Sequence, residues 1–323
     1  MCGAVQSELD DAKTYVWDVG AELSDLMFLK KRKQSTDPQL RSLVQKAVRR
    51  GFSSVAKDAL LCLEALGDRS WIRSRSAVIA AEECWPLLSE LEPKSTIAAR
   101  ISWLARIAET EKHKDAAGLG TLAYNVSEDD LSVYDGTEDD RTIKIVAAGI
   151  KRPDDYWNWL VEEGRNKGVA WNVQKIRSFV PWATWPWDKA FIFASAYLVV
   201  ERVGSTCAHI GCTNGEFPYW VAIDKHTDEG KIALRAVAKR LGYSYRQLNW
   251  VSYYCESARV EGLHESPWWE KEKRWRLGRV GLTSIEAEDI WQSARTLISE
   301  AVHDDAEALR SRIDCGAGSQ LNL

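Results

Sequence analysis

Apolar residues recur at helical spacing along nearly the whole chain, and Gly and Pro cut that recurrence into short lengths. Such a period buries one face of a helix and does not suit a strand, whose side chains alternate with period two. Leu9, Val16, Val19, Leu23, Leu26 and Leu29 fall on one side of a first helix over residues 8–33. Asp37-Pro38 breaks it, with Asp37 placed to cap and Pro38 to open the next helix, over 40–50, which stops at Gly51. Further helices are expected over 54–66, 73–91, 96–108, 142–150, 154–163, 187–202, 228–241, 244–260 and 284–314. The one over 187–202 is apolar nearly all round, the mark of a central buried helix. Residues 113–140 carry Gly118, Gly120, Asn125 and two acidic runs and read as a long surface loop. That loop divides an N-terminal helical lobe, 1–112, from a C-terminal lobe, 141–323. No strand alternation and no fixed-period repeat stands out, so the expected class is all-α, a multi-helix globular fold in two lobes.

The chain has 323 residues, 45% hydrophobic and 28% charged, enough to bury a core. No run of ~18 apolar residues suggests a membrane span. Residues 1–11 lack the basic start and apolar stretch of a secretion signal, so the cytoplasm is the expected location. Cys62, Cys84 and Cys255 sit in apolar helical patterns and read as small packing residues. Cys207, His209 and Cys212 are closer together, but three soft ligands at a non-standard spacing favour an ordinary loop. No metal and no cofactor is therefore expected. A net charge of −4 argues against coating nucleic acid by bulk electrostatics, though a local basic groove would still serve. Candidates for DNA-backbone contacts are Arg49, Arg50, Arg73, Arg75, Lys273, Arg274 and Arg276, with Lys30–Lys33 as another basic run. For each, a solvated charged face is the ordinary alternative.

Sixteen tryptophans are the compositional outlier. Buried indoles fill cores, and exposed ones make stacking platforms for bases. In the run Trp182-Ala-Thr-Trp185-Pro-Trp187 the prolines at 181 and 186 prevent burial in one element, so some of these rings are expected to line a cleft.

The segment Trp220-Val-Ala-Ile-Asp224-Lys225-His226-Thr227-Asp228-Glu229-Gly230-Lys231 concentrates ionisable groups at a helix start, after an aromatic loop that includes Tyr219. One reading is a well-capped helix: Thr227 or Asp224 caps it, and His226 is satisfied by a carboxylate. The other is a site in which Asp224, His226 and Lys231 do chemistry, with Trp220, Thr227, Tyr219, Trp182, Trp185 and Trp187 gripping the substrate.

Several patches are similar to a helical module. Lys46-Ala-Val-Arg49-Arg50-Gly51 is followed by an apolar stretch from Ala59 to Asp68, then Ile72-Arg73-Ser74-Arg75 and Ile79-Ala-Ala-Glu82-Glu83. This resembles the helical C-terminal region of the RarA/MgsA-type ATPases, relatives of clamp loaders, and the Asp224–Lys231 segment is similar to one in standalone relatives of that module. The resemblance covers about half of the chain in patches. It implies a helical fold and an association with DNA replication or repair. The family's nucleotide-binding module is missing: no Gly-x-x-x-x-Gly-Lys-Ser/Thr occurs, and the Gly230-Lys231 step precedes Ile232 inside a helix. No NTPase activity carries over.

Three functions fit these residues. The first is a DNA-acting repair or defence enzyme of glycosylase type, excising an extruded base. The second is a non-enzymatic DNA-binding adaptor resembling a clamp-loader collar. The third is a helical protein-interaction module with its tryptophans as anchors. The enzyme accounts for most features, with DNA as its partner.

Overall fold

Proline, glycine and hydroxyl side chains set the element boundaries. The computed structural model describes residues 37–126 and 137–319. The helix expected over 8–33 and the basic run Lys30–Lys33 lie outside the described residues. Within them the fold is all-α. Helices run α1 (Pro38–Arg49), α2 (Ser53–Ala65), α3 (Arg69–Glu83), α4 (Ile97–Ala108), α5 (Asp115–Tyr124), α6 (Glu138–Lys151) and α7 (Pro153–Asn166). They continue with α8 (Ala170–Arg177), α9 (Pro186–Glu201), α10 (Asp228–Leu241), α11 (Tyr245–Ser252), α12 (Pro267–Gly278), α13 (Ser284–Ala301) and α14 (His303–Ser319). Pro38, Pro153, Pro186 and Pro267 each stand at a helix start, where a missing N–H costs nothing. Thr96, Thr137, Ser244 and Thr283 accept a backbone N–H at the starts of α4, α6, α11 and α13. Among the described residues there is no strand beyond isolated bridges, and no helix is long and apolar enough to cross a membrane.

Several elements differ from the sequence expectation, among them the helices over 170–177 and 267–278, for which no helix is expected. The helix expected over 73–91 begins at Arg69 and stops at Glu83, because Pro86 forces a tighter 3₁₀ turn over Trp85–Glu90. The helix expected over 244–260 gives way after Ser252 to a π-helical turn, Tyr253–Ser257. The final helix divides at the buried Val302 into α13 and α14. The largest correction concerns 113–140: residues 115–124 form a buried helix, α5, not a surface loop.

The two glycines that suggested a loop are what let α5 into the interior. A Cβ on Gly118 would lie 2.3 Å from the backbone of Trp268 in α12, and one on Gly120 2.9 Å from the backbone of Ala190 in α9. Helix propensity disfavours Gly by about 1 kcal/mol, but close backbone approach outweighs it here. α5 therefore packs between the central α9, with α3 alongside, and α12.

The apolar core falls into two clusters. The larger draws on α1 to α9, on residues 217–223, on Ala233 of α10 and Trp268 of α12, and on Val302, Leu309 and Ile313. The smaller is built from α10 to α13, the π-helical turn and Ala117 of α5. The chain from Pro38 onward packs as one unit, with α5 reaching both clusters, so the expected division into lobes at 113–140 is not where the cores part.

Replacing Gly118 by Ala should destabilise the protein by about 1–3 kcal/mol through overpacking. Gly278→Ala, at the end of α12 with nothing near its Cβ, should be neutral or slightly stabilising. Urea unfolding of the two variants side by side checks this.

Candidate functional site

After residues 217–218 the chain makes a 3₁₀ turn, Tyr219–Ala222, against α1 and then enters α10 through Asp224-Lys-His-Thr227. Thr227 is the cap: its Oγ1 accepts the Gly230 N–H at 3.1 Å and donates to the Asp224 carbonyl at 3.0 Å. Gly230 is required, since a Cβ there would stand 2.1 Å from that carbonyl oxygen. Capping thus belongs to Thr227, which is fully buried and is not the substrate contact expected of it. The Asp224 carboxylate is left for other partners.

Those partners come from two other parts of the chain and from the next residue but one. Lys46 of α1 donates to Asp224 Oδ2 at 2.5 Å, Ser42 to Oδ1 at 3.4 Å, and Ser257 of the π-helical turn to Oδ2 at 3.3 Å. The His226 backbone N–H donates to Oδ1 at 3.0 Å, and its ring Nδ1 lies 2.9 Å from the same oxygen. Only 5% of the Asp224 side chain is exposed. Burial alone would raise its pKa, but the His226 ring and the Lys46 ammonium together outweigh that and hold it well below the ordinary carboxylate range. A carboxylate only accepts, so a neutral His226 carries its proton on Nδ1 and leaves Nε2 as an acceptor. Desolvation by the surrounding protein lowers the ring's pKa against the pull of Asp224, yet 58% of the side chain remains open to water. The lowered pKa favours the neutral ring, whose Nε2 can accept a proton.

The expected third member, Lys231, is not at Asp224. It pairs with Asp228 at 3.4 Å on its own helix surface. Lys46 and Lys225 supply the positive charge instead. Lys225 Nζ lies 4.2 Å from the Trp250 ring centre and 4.3 Å from that of Tyr253. Burial, opposed by Asp224, lowers its pKa to about 8. Trp250 also carries the Arg276 guanidinium, at 4.5 Å, and Arg276 lies over Trp275 and Trp187 at 4.7 and 5.4 Å. A row of alternating rings and cations therefore extends from Asp224 through Lys225, Trp250 and Arg276 to Trp187. Behind it, burial raises the pKa of Glu272, which accepts from the Tyr254 hydroxyl at 2.5 Å.

The other expected aromatics go elsewhere. Trp182 is exposed on a separate 3₁₀ turn packed on α3, and Trp185 is the half-buried residue that precedes α9. Tyr219 and Trp220 line an open groove of about 590 Å³ with Ser299, Glu300, His303 and Arg310. Trp220 also stacks on Trp291, with ring centres 6.3 Å apart, and borders a small crevice beside Asp224 and Ser257.

The expected phosphate-binding arginines are largely interior. Arg49 meets Glu82 and Glu83 at 2.6 and 2.7 Å and donates to the Ser257 carbonyl. Lys114 joins the same carboxylates, and Arg50 pairs with Glu256 at 2.8 Å. Burial opposes ionisation of Glu82, but Arg49 and Lys114 bring its pKa down to about 2. Arg75 pairs with the buried Asp188 at 2.6 Å. Arg49, Arg50 and Arg75 are thus committed to carboxylates and do not face a DNA backbone. Arg73 and Arg274 are exposed, and Lys273 is half-buried. Cys207, His209 and Cys212 do not converge among the described residues: Cys212 Sγ meets Glu109 at 3.1 Å, and Cys207 lies beside Cys84.

No protein-family model, no curated protein and no solved structure matches this chain.

Lys46→Met strands a buried carboxylate and should cost about 3–5 kcal/mol, much of it recovered in the Lys46→Met/Asp224→Asn double variant. Because the folded-state pKa of Asp224 is depressed, its contribution is present above the unfolded value, about pH 4, and is lost as pH falls through the folded value. Acid titration of unfolding stability should therefore be steeper below about pH 4 in the wild type than in Asp224→Asn. Amine acylation mapped by mass spectrometry should show Lys225 gaining reactivity near pH 8, well before surface lysines.

Proposed function

We propose that the protein is a DNA-acting enzyme that hydrolyses the N-glycosidic bond of an extruded base. The carrying observation is the Asp224–His226 pair, in which a buried carboxylate holds the Nδ1 side of a water-accessible imidazole. That arrangement orients a histidine for proton transfer. In the reaction, a water oxygen adds to C1′ as the C1′–N bond breaks and its electron pair leaves with the base. His226 Nε2 takes the proton from water. The Lys225 ammonium, with a pKa of about 8, gives one to the departing nitrogen, and solvent returns both groups to their starting states. Asp224 is then a positioning residue and not one of the groups that touch the substrate. The row of Trp250, Arg276 and Trp187 offers faces on which an extruded base would stack. The resemblance to the collar region of clamp-loader-type ATPases supports DNA as the partner.

One observation favours a second reading, the non-enzymatic adaptor. Both Asp224 oxygens are fully taken by Lys46, Ser42, Ser257 and His226, as in a purely structural tie. Incubation with duplex and single-stranded DNA carrying normal and modified bases, without metal and followed by alkali, separates the readings. The expected result is strand cleavage at one base type, reduced about 10²-fold or more in His226→Gln with an unchanged melting temperature. Binding without cleavage would establish the adaptor. DNA retention that is absent at every salt concentration would overturn both and leave the protein-interaction module.

A further inference from the structure

Away from Asp224, the segment 110–113 runs through the interior, bridged to three other stretches of chain. The Glu111 N–H donates to the Ala208 carbonyl at 2.8 Å, Lys112 N–H to Gly262 O at 2.8 Å and His113 N–H to Glu83 O at 2.7 Å. In return, the His264 N–H donates to Lys112 O at 2.8 Å. In extended backbone, residues two apart share a face. Glu111 and His113 therefore point to one side and Lys112 to the other, where its Nζ is buried against the carbonyls of Ile107, Ala108 and Thr110 at the end of α4. The backbone pairing with 262–264 brings His264 to the Glu111 and His113 side.

The result is a compact cluster. His264 Nδ1 lies 3.1 Å from Glu111 Oε1, and His113 Nε2 lies 3.6 Å from Glu111 Oε2. The two imidazoles stack at 4.2 Å. One ligand atom from each residue falls within 4.8 Å of the other two. His113 is 6% exposed at the side chain, and its Nε2 is buried with no hydrogen-bond partner. A buried polar atom left unpaired carries a desolvation cost that needs an explanation. A bound cation supplies one. A tetrahedral shell with bonds of ~2.1 Å sets its ligand atoms roughly 3.4 Å apart, a spacing that side-chain rotation reaches from atoms already within 4.8 Å of one another. Glu111 and His264 are partly exposed, at 27% and 48%, which leaves an outward side for water or a fourth ligand.

We infer that Glu111, His113 and His264 form a binding site for a divalent first-row cation of the zinc type, with two imidazoles and one carboxylate as protein ligands and one position open to solvent. Two histidines with one carboxylate is a donor set suited to such ions. The ends of four chain segments meet at this cluster, so the cation would pin residues 262–264 to 111–113. The inference is independent of the Asp224 reading.

The test is zinc itself. Chelator-treated full-length protein is titrated with Zn²⁺ against a chromophoric competitor, and thermal melting is followed in parallel. One ion per chain and a raised melting temperature are expected. His264→Ala and Glu111→Gln, which alter partly exposed groups and so leave the fold intact by circular dichroism, should weaken binding by about tenfold or more. Cobalt substituted for zinc should show visible d–d bands without a thiolate charge-transfer band, unchanged in Cys207→Ser/Cys212→Ser. The inference falls if the wild type binds no more tightly than the His264→Ala/Glu111→Gln double variant, or if the charge-transfer band shows that cysteines hold the ion.

Discussion

Lys46 and Arg49, one turn apart on α1, reach into the interior and meet carboxylates from distant parts of the chain: Asp224 for one, Glu82 and Glu83 for the other. Replacing such pairs by apolar groups is often neutral, so their worth is not mainly in net stability. Their worth lies in what they forbid. Any packing that slid α1 along its neighbours would leave a charge buried and alone, at a cost of several kcal/mol. Ser257 donates its hydroxyl to Asp224 and lends its carbonyl to Arg49, so the π-helical turn is tied to both pairs at once. The two apolar clusters thus meet across a seam whose register is set by charge.

That seam is also where the candidate site lies. Asp224 belongs to the turn that closes the larger cluster, and Lys225 rests on Trp250 and Tyr253 from the smaller one. A π-helical turn is a costly irregularity that recurs at functional positions. Here it places Tyr253 under Lys225, Tyr254 on Glu272, Glu256 on Arg50 and Ser257 on Asp224. An unbroken α-helix over the same residues would turn part of that set away.

Much of the scaffold was legible from periodicity and punctuation, because helices such as α2, α4 and α10 have one apolar face and clear stops. α12 was not. Its buried residues are Trp268, Trp269, Glu272 and Leu277, and five other positions are Lys, Arg or Glu, so no clean apolar stripe marks it. His226 could be found from its place beside a helix start. Its companions could not: Lys46 and Ser42 lie 178 and 182 residues from Asp224, and no spacing rule links them. Arg49 and Arg50 read as phosphate contacts for the same reason, since their burial depends on glutamates that only tertiary packing brings near.

α5 carries a further consequence in its two glycines. Alone, a ten-residue helix with Gly118 and Gly120 inside it is too short and too weak in propensity to persist in water. It gains its stability only when the backbones of α9 and α12 close on those glycines from either side. Such an element is stable only with both flanking helices packed on it, which links the packing of the larger cluster to that of the smaller. The glycine contacts thereby add a further tie between the two clusters, beside the buried charge pairs.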